Sequence, residues 1–217
     1  VYLNDFYNLN GAKLASFSGY TMPINFSKGI IKEHLHTRSA VGIFDVSHMG
    51  MMLISCNENH IKKLELIIPQ NLRKLKTFNS VYTFILNIEG GIVDDLIISK
   101  IIIDNLEYFF LVYNAARKKI DQEIIFNLIK DANIIIDNSI IAVQGPLSAN
   151  IINNLFPETE NMNFMQIKTI NYKNKNIIIS RSGYTGEDGF EIFVPNTAVT
   201  EFIEKVLSYD QTLLCGL

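Results

Sequence analysis

Asp94 and Asp95 stand side by side in an otherwise aliphatic run, with Ile92-Val93 before them and Leu96-Ile97-Ile98 after, directly behind Gly90-Gly91. In a strand, successive side chains point to opposite faces, so Ile92, Asp94, Leu96 and Ile98 share one face and Val93, Asp95 and Ile97 the other. Both faces are apolar, which predicts that at least one carboxylate points into protein. A lone ionised carboxylate costs several kcal/mol to remove from water unless it is paired or hydrogen-bonded, and without a partner its pKa rises until it is neutral. Such a group either has a chemical use or is satisfied by a turn it caps or a basic side chain it pairs with.

A second segment rich in chemistry is Arg181-Ser182-Gly183-Tyr184-Thr185-Gly186-Glu187-Asp188-Gly189-Phe190-Glu191, where three glycines at every third position allow tight turns between two strands. No Lys-Ser/Thr follows the glycines and the spacing differs from the dinucleotide fingerprint, so a nucleotide reading has little support. In the strand that follows, Phe190, Ile192 and Val194 share a face and leave Glu191 on the other beside Phe193. A carboxylate among aromatic rings suits a flat heterocycle that offers paired N–H donors, and the bland alternative is a well-formed hairpin with a solvated Glu.

Other polar residues point less clearly. Asp45 lies three residues before His48 in DVSHMG at 45–50, but without a Ser or Cys nucleophile the pair reads as a structural hydrogen bond, and Met49, Met51 and Met52 as adaptable packing. His34 and His36 are two apart on a helix and point different ways, which excludes a two-histidine metal site there. Asn114, between an apolar strand and a helix, places an amide at a sheet edge or caps the helix.

The elements that must position these residues read as α+β. Ser27 is expected to cap a helix running to about Ser39 with Ile31 and Leu35 buried, followed by a strand through Ile43–Val46. A helix over 58–68 ends at Pro69, and three strands at about 80–87, 92–103 and 107–113 form an antiparallel meander with turns at 87–91 and Asp104-Asn105. Helical spacing from Ala115 to Asp131 places Ile120, Ile124 and Leu128, with Ile125 and Ile129 beside them, against a sheet. Strands at 134–137 and 140–144 lead to Gly145-Pro146 and a helix to Leu155. Strands at about 166–173 and 176–182, turning at Asn174-Lys175, and another at 189–194 precede a last helix with Val199, Phe202, Ile203, Val206 and Leu207 on one face. Hairpins dominate, and no repeat or Pro- or Ser-rich linker divides the chain, so any subdivision must be by intertwined lobes.

The chain has 217 residues, 48% hydrophobic and 19% charged, enough for one large core or two smaller ones. A mean hydropathy of +0.17 comes from short apolar runs broken by polar residues, none long enough for a membrane-spanning helix. A net charge of −3, with scattered lysines, gives no field for holding nucleic acid. Two distant cysteines, Cys56 and Cys215, imply neither a disulfide scaffold nor a zinc site and fit a reducing compartment. The start lacks a basic region followed by an apolar one, so a secretory signal is expected to be absent or already removed, and Val1 suggests that the first residues are missing.

Taken together and in order, DVSHMG at 45–50, GGIVDDLI at 90–97, YNAARKKID at 113–121, AVQGP at 142–146 and RSGYTGEDGFE at 181–191 closely resemble the glycine cleavage system T-protein family, the aminomethyltransferases, over essentially the whole chain. The resemblance implies interleaved antiparallel-sheet lobes of a folate-binding fold, roughly 1–50 plus 135–217 and 51–134, and a chain that lacks a C-terminal β-barrel domain and a folate-binding Arg beyond residue 217. It implies transfer of the one-carbon unit from S-aminomethyl-dihydrolipoyl H-protein to tetrahydrofolate, releasing ammonia and forming 5,10-methylene-tetrahydrofolate, with no metal. Lipoylated H-protein and tetrahydrofolate are the implied partners, without nucleic acid or membrane, in a bacterial cytoplasm or a mitochondrial matrix.

By the same resemblance, Asp95 matches the family's essential acid, Tyr82, Asn114, Tyr184 and Glu191 fall on positions that line the folate site, and Asp94 is structural. Tyr20 stands where a Trp is usual and Ser16 where an Asp is common. The rival readings are a folate-dependent demethylase, a non-catalytic folate-binding protein of tRNA modification or iron-sulfur maturation, and a plain α+β interaction domain.

Overall fold

A computed structural model describes residues 1–217. In chain order the elements are α1 (Asn4–Leu9), β1 (Lys13–Phe17), β2 (Tyr20–Asn25), α2 (Ile30–Ser39), β3 (Val41–Asp45), β4 (Gly50–Ser55), α3 (Glu58–Leu64), β5 (Ser80–Leu86), β6 (Ile92–Ile103) and β7 (Leu106–Tyr113). Then come α4 (Lys118–Leu128), β8 (Asn133–Ile134), β9 (Asn138–Gln144), α5 (Ser148–Leu155), β10 (Ile167–Tyr172), β11 (Lys175–Ser180), β12 (Gly189–Pro195), α6 (Asn196–Leu207) and β13 (Thr212–Leu214). The fold is α+β, as the pattern of hairpins implies.

The chain forms two compact units. The first comprises Val1–His48, Asp137–Phe164 and Ile170–Leu217, and the second Met49–Ile136 with Met165–Thr169. The first unit carries the hairpin β1–β2 and a six-stranded sheet in the order β10-β11-β12-β9-β3-β13. Its pairings β3–β9, β9–β12 and β11–β12 are antiparallel, and β13 joins β3 in parallel. Its core gathers Ile141, Val143, Phe190, Ile192 and Val194 from the sheet against Val199, Phe202, Ile203 and Val206 of α6. Each such large side chain contributes about 1.5–3 kcal/mol by leaving water.

The second unit is a five-stranded sheet, β5-β6-β7-β4-β8, with its own core of Met52, Ile54, Ile85, Leu96, Ile98, Phe109 and Leu111 packed on Leu64 of α3, Ile125 of α4 and Ile129 just after it. The meander β5–β6–β7 is antiparallel throughout. Asp104 and Asn105, at φ 49° and 64°, make the two-residue turn between β6 and β7. Asp and Asn tolerate that left-handed backbone, which suits the twist of paired strands. The turn between β10 and β11 falls at Lys173-Asn174, one residue earlier than the sequence suggests, again with both φ positive.

Helix α2 departs most from expectation. It starts at Ile30 behind Gly29, which has φ 81°, and no side chain caps it. Ile31 and Leu35, expected to be buried, are 75% and 58% exposed, while Glu33 and Thr37 are buried. The helix turns a polar line inward because that line has donors to satisfy. Glu33 Oε1 accepts from Phe26 N at 2.7 Å, and Oε2 accepts from Gly216 N at 3.0 Å. Thr37 Oγ1 donates back to Glu33 O at 3.0 Å. Hydrophobic periodicity gives the wrong face here because a buried carboxylate with two N–H donors outweighs a few aliphatic side chains.

A smaller rotation separates α4 from its expected stripe. Its buried residues are Asp121 and Ile125, with Ile129 just beyond, and Ile120 lies 41% exposed. Helix α3 is also shorter than its periodicity suggests, ending at Leu64, and is capped by Asn57, which accepts from His60 N at 2.9 Å.

Replacing Leu35 by Gln should change unfolding free energy by no more than about 0.5 kcal/mol, whereas Glu33→Ala, which strands two backbone donors, should cost about 1–3 kcal/mol. Urea unfolding of the two variants checks the contrast.

Candidate functional site

In the second unit the two aspartates diverge as strand alternation requires. Asp94, beside Leu96 and Ile98, faces the core and is 9% exposed, whereas Asp95 is half-buried on the opposite face. Phe84 lies across from Asp95, and Tyr82, two residues back along β5, occupies the same face. The Tyr82 phenol donates to the Asp95 carboxylate, a contact that, with some burial, holds the phenol's pKa above the usual tyrosine value. Its ring sits edge-on to Phe84, centroids 5.5 Å apart, and is 46% exposed.

Asn114 follows directly on the last residue of β7, and its amide joins the two faces. Nδ2 lies 3.0 Å from Asp94 Oδ1, 3.0 Å from Asp95 Oδ1 and 3.1 Å from the Asp95 carbonyl oxygen. An amide nitrogen carries two hydrogens, so three acceptors share two donors. Of the two alternatives open for Asn114 in the sequence, the geometry supports the sheet-edge amide: no side chain caps α4, which begins behind Arg117. Tyr113 itself is buried, and its hydroxyl accepts from Gln122 Nε2 at 2.9 Å. Gly50, its partner across the strand pair, leaves the room: a Cβ there would lie 2.1 Å from the Tyr113 ring.

Behind Asp94 lies a residue that sequence reasoning passed over. Asp121 is 0% exposed, and its carboxyl hydrogen-bonds that of Asp94. Burial first, and then the hydrogen bond and charge of Asp94, push its pKa up to about 8, with Arg117 pulling the other way. The available signal was an Asp at the helical spacing of Ile125 and Ile129, a charge on a core-facing line.

Tyr184 and Glu191 belong to the first unit. Glu191 sits on β12 opposite Ser180 of β11, on the face away from Phe190 and Ile192. Ser182 Oγ donates to Glu191 Oε2 at 2.5 Å and lies 2.9 Å from Ser180 Oγ. The side chain keeps some exposed area, but its carboxyl is largely enclosed, and burial pushes the pKa up against the opposing pull of Ser182. Tyr184 is 71% exposed and, with Thr185, Arg38, His34 and Phe44, lines a cavity of about 330 Å³ in this unit.

The loop that carries Tyr184 is built around Gln144 of β9, whose role was also not legible beforehand. Gln144 Nε2 donates to Ser182 O at 2.9 Å and Phe190 O at 3.3 Å, and Oε1 accepts from Thr185 Oγ1 at 3.0 Å. A Cβ on Gly183 or Gly189 would meet the Gln144 amide at 2.0 or 2.5 Å, so these glycines admit the amide rather than a phosphate. Arg181 closes the loop's base on Asp188, with Nε–Oδ1 at 3.0 Å and Nη2–Oδ2 at 2.6 Å.

In DVSHMG the Asp45 carboxylate is held by Ser47 and Tyr7, not by the His48 partner that the spacing suggested. Asp45 is buried, accepts from Ser47 N at 2.8 Å and meets the Tyr7 hydroxyl, while His48 packs edge-on against Phe17. His36 meets Gln211 O and His34 lines the cavity.

The GCVT N-terminal domain family matches residues 3–216. An aminomethyltransferase of Thermoanaerobacter pseudethanolicus is 37% identical over 217 residues, covering 94% of this chain and 56% of that protein. A mitochondrial aminomethyltransferase of Dictyostelium discoideum is 35% identical, covering 95% and 53%. The crystal structure of the glycine cleavage system aminomethyltransferase T from Bartonella henselae superposes with a TM-score of 0.90 at 32% identity, over 100% of this chain and 59% of that one. The fold is thus the α+β fold shared with that structure. It belongs to the GCVT N-terminal domain family, and it spans about half the length of the curated relatives it matches.

Gly183→Ala should expel the Gln144 amide from the loop and destabilise the first unit by about 1–3 kcal/mol, since neither the side chain nor the two strand ends can retreat. Thermal unfolding and backbone amide exchange at residues 182–190 check it.

Proposed function

We propose that this chain carries the folate-dependent transfer site of a glycine cleavage system aminomethyltransferase. The reaction passes the methylene carbon of S-aminomethyl-dihydrolipoyl H-protein to N5 and N10 of tetrahydrofolate. The C–S and C–N bonds to carbon break and two C–N bonds form, and the two protons leaving the folate nitrogens end on the lipoyl thiol and on ammonia. No net oxidation occurs.

The observation that carries this reading is the triad Tyr82, Asp95 and Asn114: a carboxylate on a sheet face, hydrogen-bonded on both sides by neutral groups and not neutralised by an ion pair. An anion fixed in this way can stabilise a cationic iminium carbon as ammonia and thiol depart, and orient the attacking amine, without forming a covalent bond itself. Asp94 is assigned to structure rather than to contact with substrate. Glu191, enclosed and held by Ser182 on one oxygen, suits the amino group and ring N–H of a pterin, and the exposed ring of Tyr184 offers a stacking face. The names of the relatives support the activity, and the resemblance supports tetrahydrofolate and lipoylated H-protein as substrates.

Asp95→Asn in the protein as it occurs naturally should lower the rate of methylene-tetrahydrofolate formation from aminomethylated H-protein by roughly a hundredfold or more while leaving the unfolding midpoint unchanged. Undiminished turnover in that variant would remove the mechanism.

Glu191→Ala should weaken tetrahydrofolate binding by about tenfold to a hundredfold in calorimetric titration. Burial raises the Glu191 pKa in the free protein, and pterin N–H donors favour its anion, so binding should release a proton and tighten as pH rises through that pKa. Titrations in buffers of different ionisation enthalpy report the proton directly, and Glu191→Gln should abolish it.

A further inference from the structure

Asp121 serves no purpose in the reading above, yet it is the most completely buried acid of the second unit. Neither of its carboxyl oxygens, nor Asp94 Oδ2, receives a hydrogen bond from any N–H or hydroxyl group. The remaining Asp94 oxygen takes one of the shared contacts of Asn114. Two carboxyl groups meeting in a hydrogen bond, with no donor supplied to the oxygens that meet, must hold a proton between them, because two anions at that distance repel strongly in a medium from which water is excluded.

The surroundings bear this out element by element. From β6, Asp94 faces Asp121 with like charge, and Asp95 on the other side of the sheet adds a smaller repulsion. At the start of its own helix, Arg117 is the facing cation. From β5, Tyr82 donates to Asp95, and from the end of β7 the Asn114 amide spans both aspartates. Lys63 of α3 is committed to Leu128 O at the far end of α4. Asp94 and Asp95 each draw on neutral donors, whereas Asp121 has only the charge of Arg117 and no N–H or hydroxyl donor of its own, so the Asp94–Asp121 contact requires one of the two acids to be neutral.

We propose that Asp121 is a positioning residue for the transfer reaction: it shares a proton with Asp94, and the pair fixes the Asn114 amide that aims the Asp95 carboxylate. The chain of contact runs from helix α4 through the sheet to its other face: Asp121 to Asp94 by a proton, Asp94 to Asn114 by one N–H, Asn114 to Asp95 by the other. Neutral Asp121 lets Asp94 sit in the core as a partnered anion. Loss of the proton places two facing anions behind Asn114, drives Asp94 and Asp121 apart and frees the amide that aligns Asp95. The catalytic consequence rests on the proposed aminomethyltransferase activity, whereas the proton between the carboxyls does not.

Two measurements separate the two ideas. In protein labelled with ¹³C at aspartate carboxyls, NMR titration should show one buried carboxyl still protonated at neutral pH and ionising near pH 8, absent from Asp121→Asn. Titration of every aspartate in the ordinary carboxylate range would overturn the proposal, whatever the activity. In the aminomethyl-transfer assay on the natural protein, wild-type kcat should fall as pH rises above about 8.

Asp121→Asn, which keeps a donor towards Asp94 at every pH, should hold kcat near the wild-type value and lose that alkaline limb. Asp121→Ala should lose roughly tenfold to a hundredfold in kcat with little change in KM for tetrahydrofolate. An Ala variant with wild-type kcat, or an Asn variant as impaired as the Ala one at equal thermal stability, would overturn it. If the Ala variant does not fold, the Asn pH profile and the carboxyl titration still decide. Absence of transfer by the wild type would sink the proposed activity and leave the titration result standing.

Discussion

One amide, that of Asn114, has to satisfy acids on both faces of a sheet. Adjacent residues of a strand cannot share a face, so Asp94 and Asp95 are forced into different surroundings, one among aliphatic side chains and one beside a half-exposed tyrosine. Only a group at the sheet's edge, at the end of the neighbouring strand, can touch both. Asn114 occupies that position because β7 stops at Tyr113, where the chain turns towards α4. The same turn brings Asp121 beneath Asp94, so the end of one strand sets both the donor that the acids share and the acid that keeps one of them tolerable.

The first unit shows the inverse arrangement, a single acceptor–donor side chain organising backbone. Gln144 holds the carbonyls of Ser182 and Phe190 and the hydroxyl of Thr185, and two glycines yield the space it fills. The loop bearing Tyr184 is therefore fixed from below by β9 rather than by its own turns, while Arg181 and Asp188 lock its ends. In both units a neutral amide does the holding. An amide has no pKa in the working range, so each support keeps its own donors at every pH, and only a titration of the acids it holds can release it.

Much of this was legible in the residues. The meander of β5, β6 and β7, with its turn at Asp104-Asn105, follows from β-branched runs and from turn chemistry, and the assignment of Asp94 and Asp95 to opposite faces needs only the two-residue period. The buried faces of α2 and α4 were not legible, and for one reason. Hydrophobic periodicity assumes that a carboxylate seeks water, yet Glu33 and Asp121 turn inward to meet partners far away in sequence, Gly216 in one case and Asp94 in the other. Gln144 was hidden similarly: it reads as the polar end of a strand until the glycines that face it are placed. Long-range polar pairing leaves no local period to detect.

The alternation that separates Asp94 from Asp95 also limits how this strand can change over evolutionary time. Side chains along β6 can be exchanged one for another, but adding or deleting one residue between Gly91 and Asp94 would swap the two acids between core and surface while leaving the sequence there still reading Asp-Asp. Such a frame error would be invisible to composition and nearly silent in hydropathy. It would deliver the wrong carboxylate to each face, so the length of this segment is a stricter inheritance than its spelling.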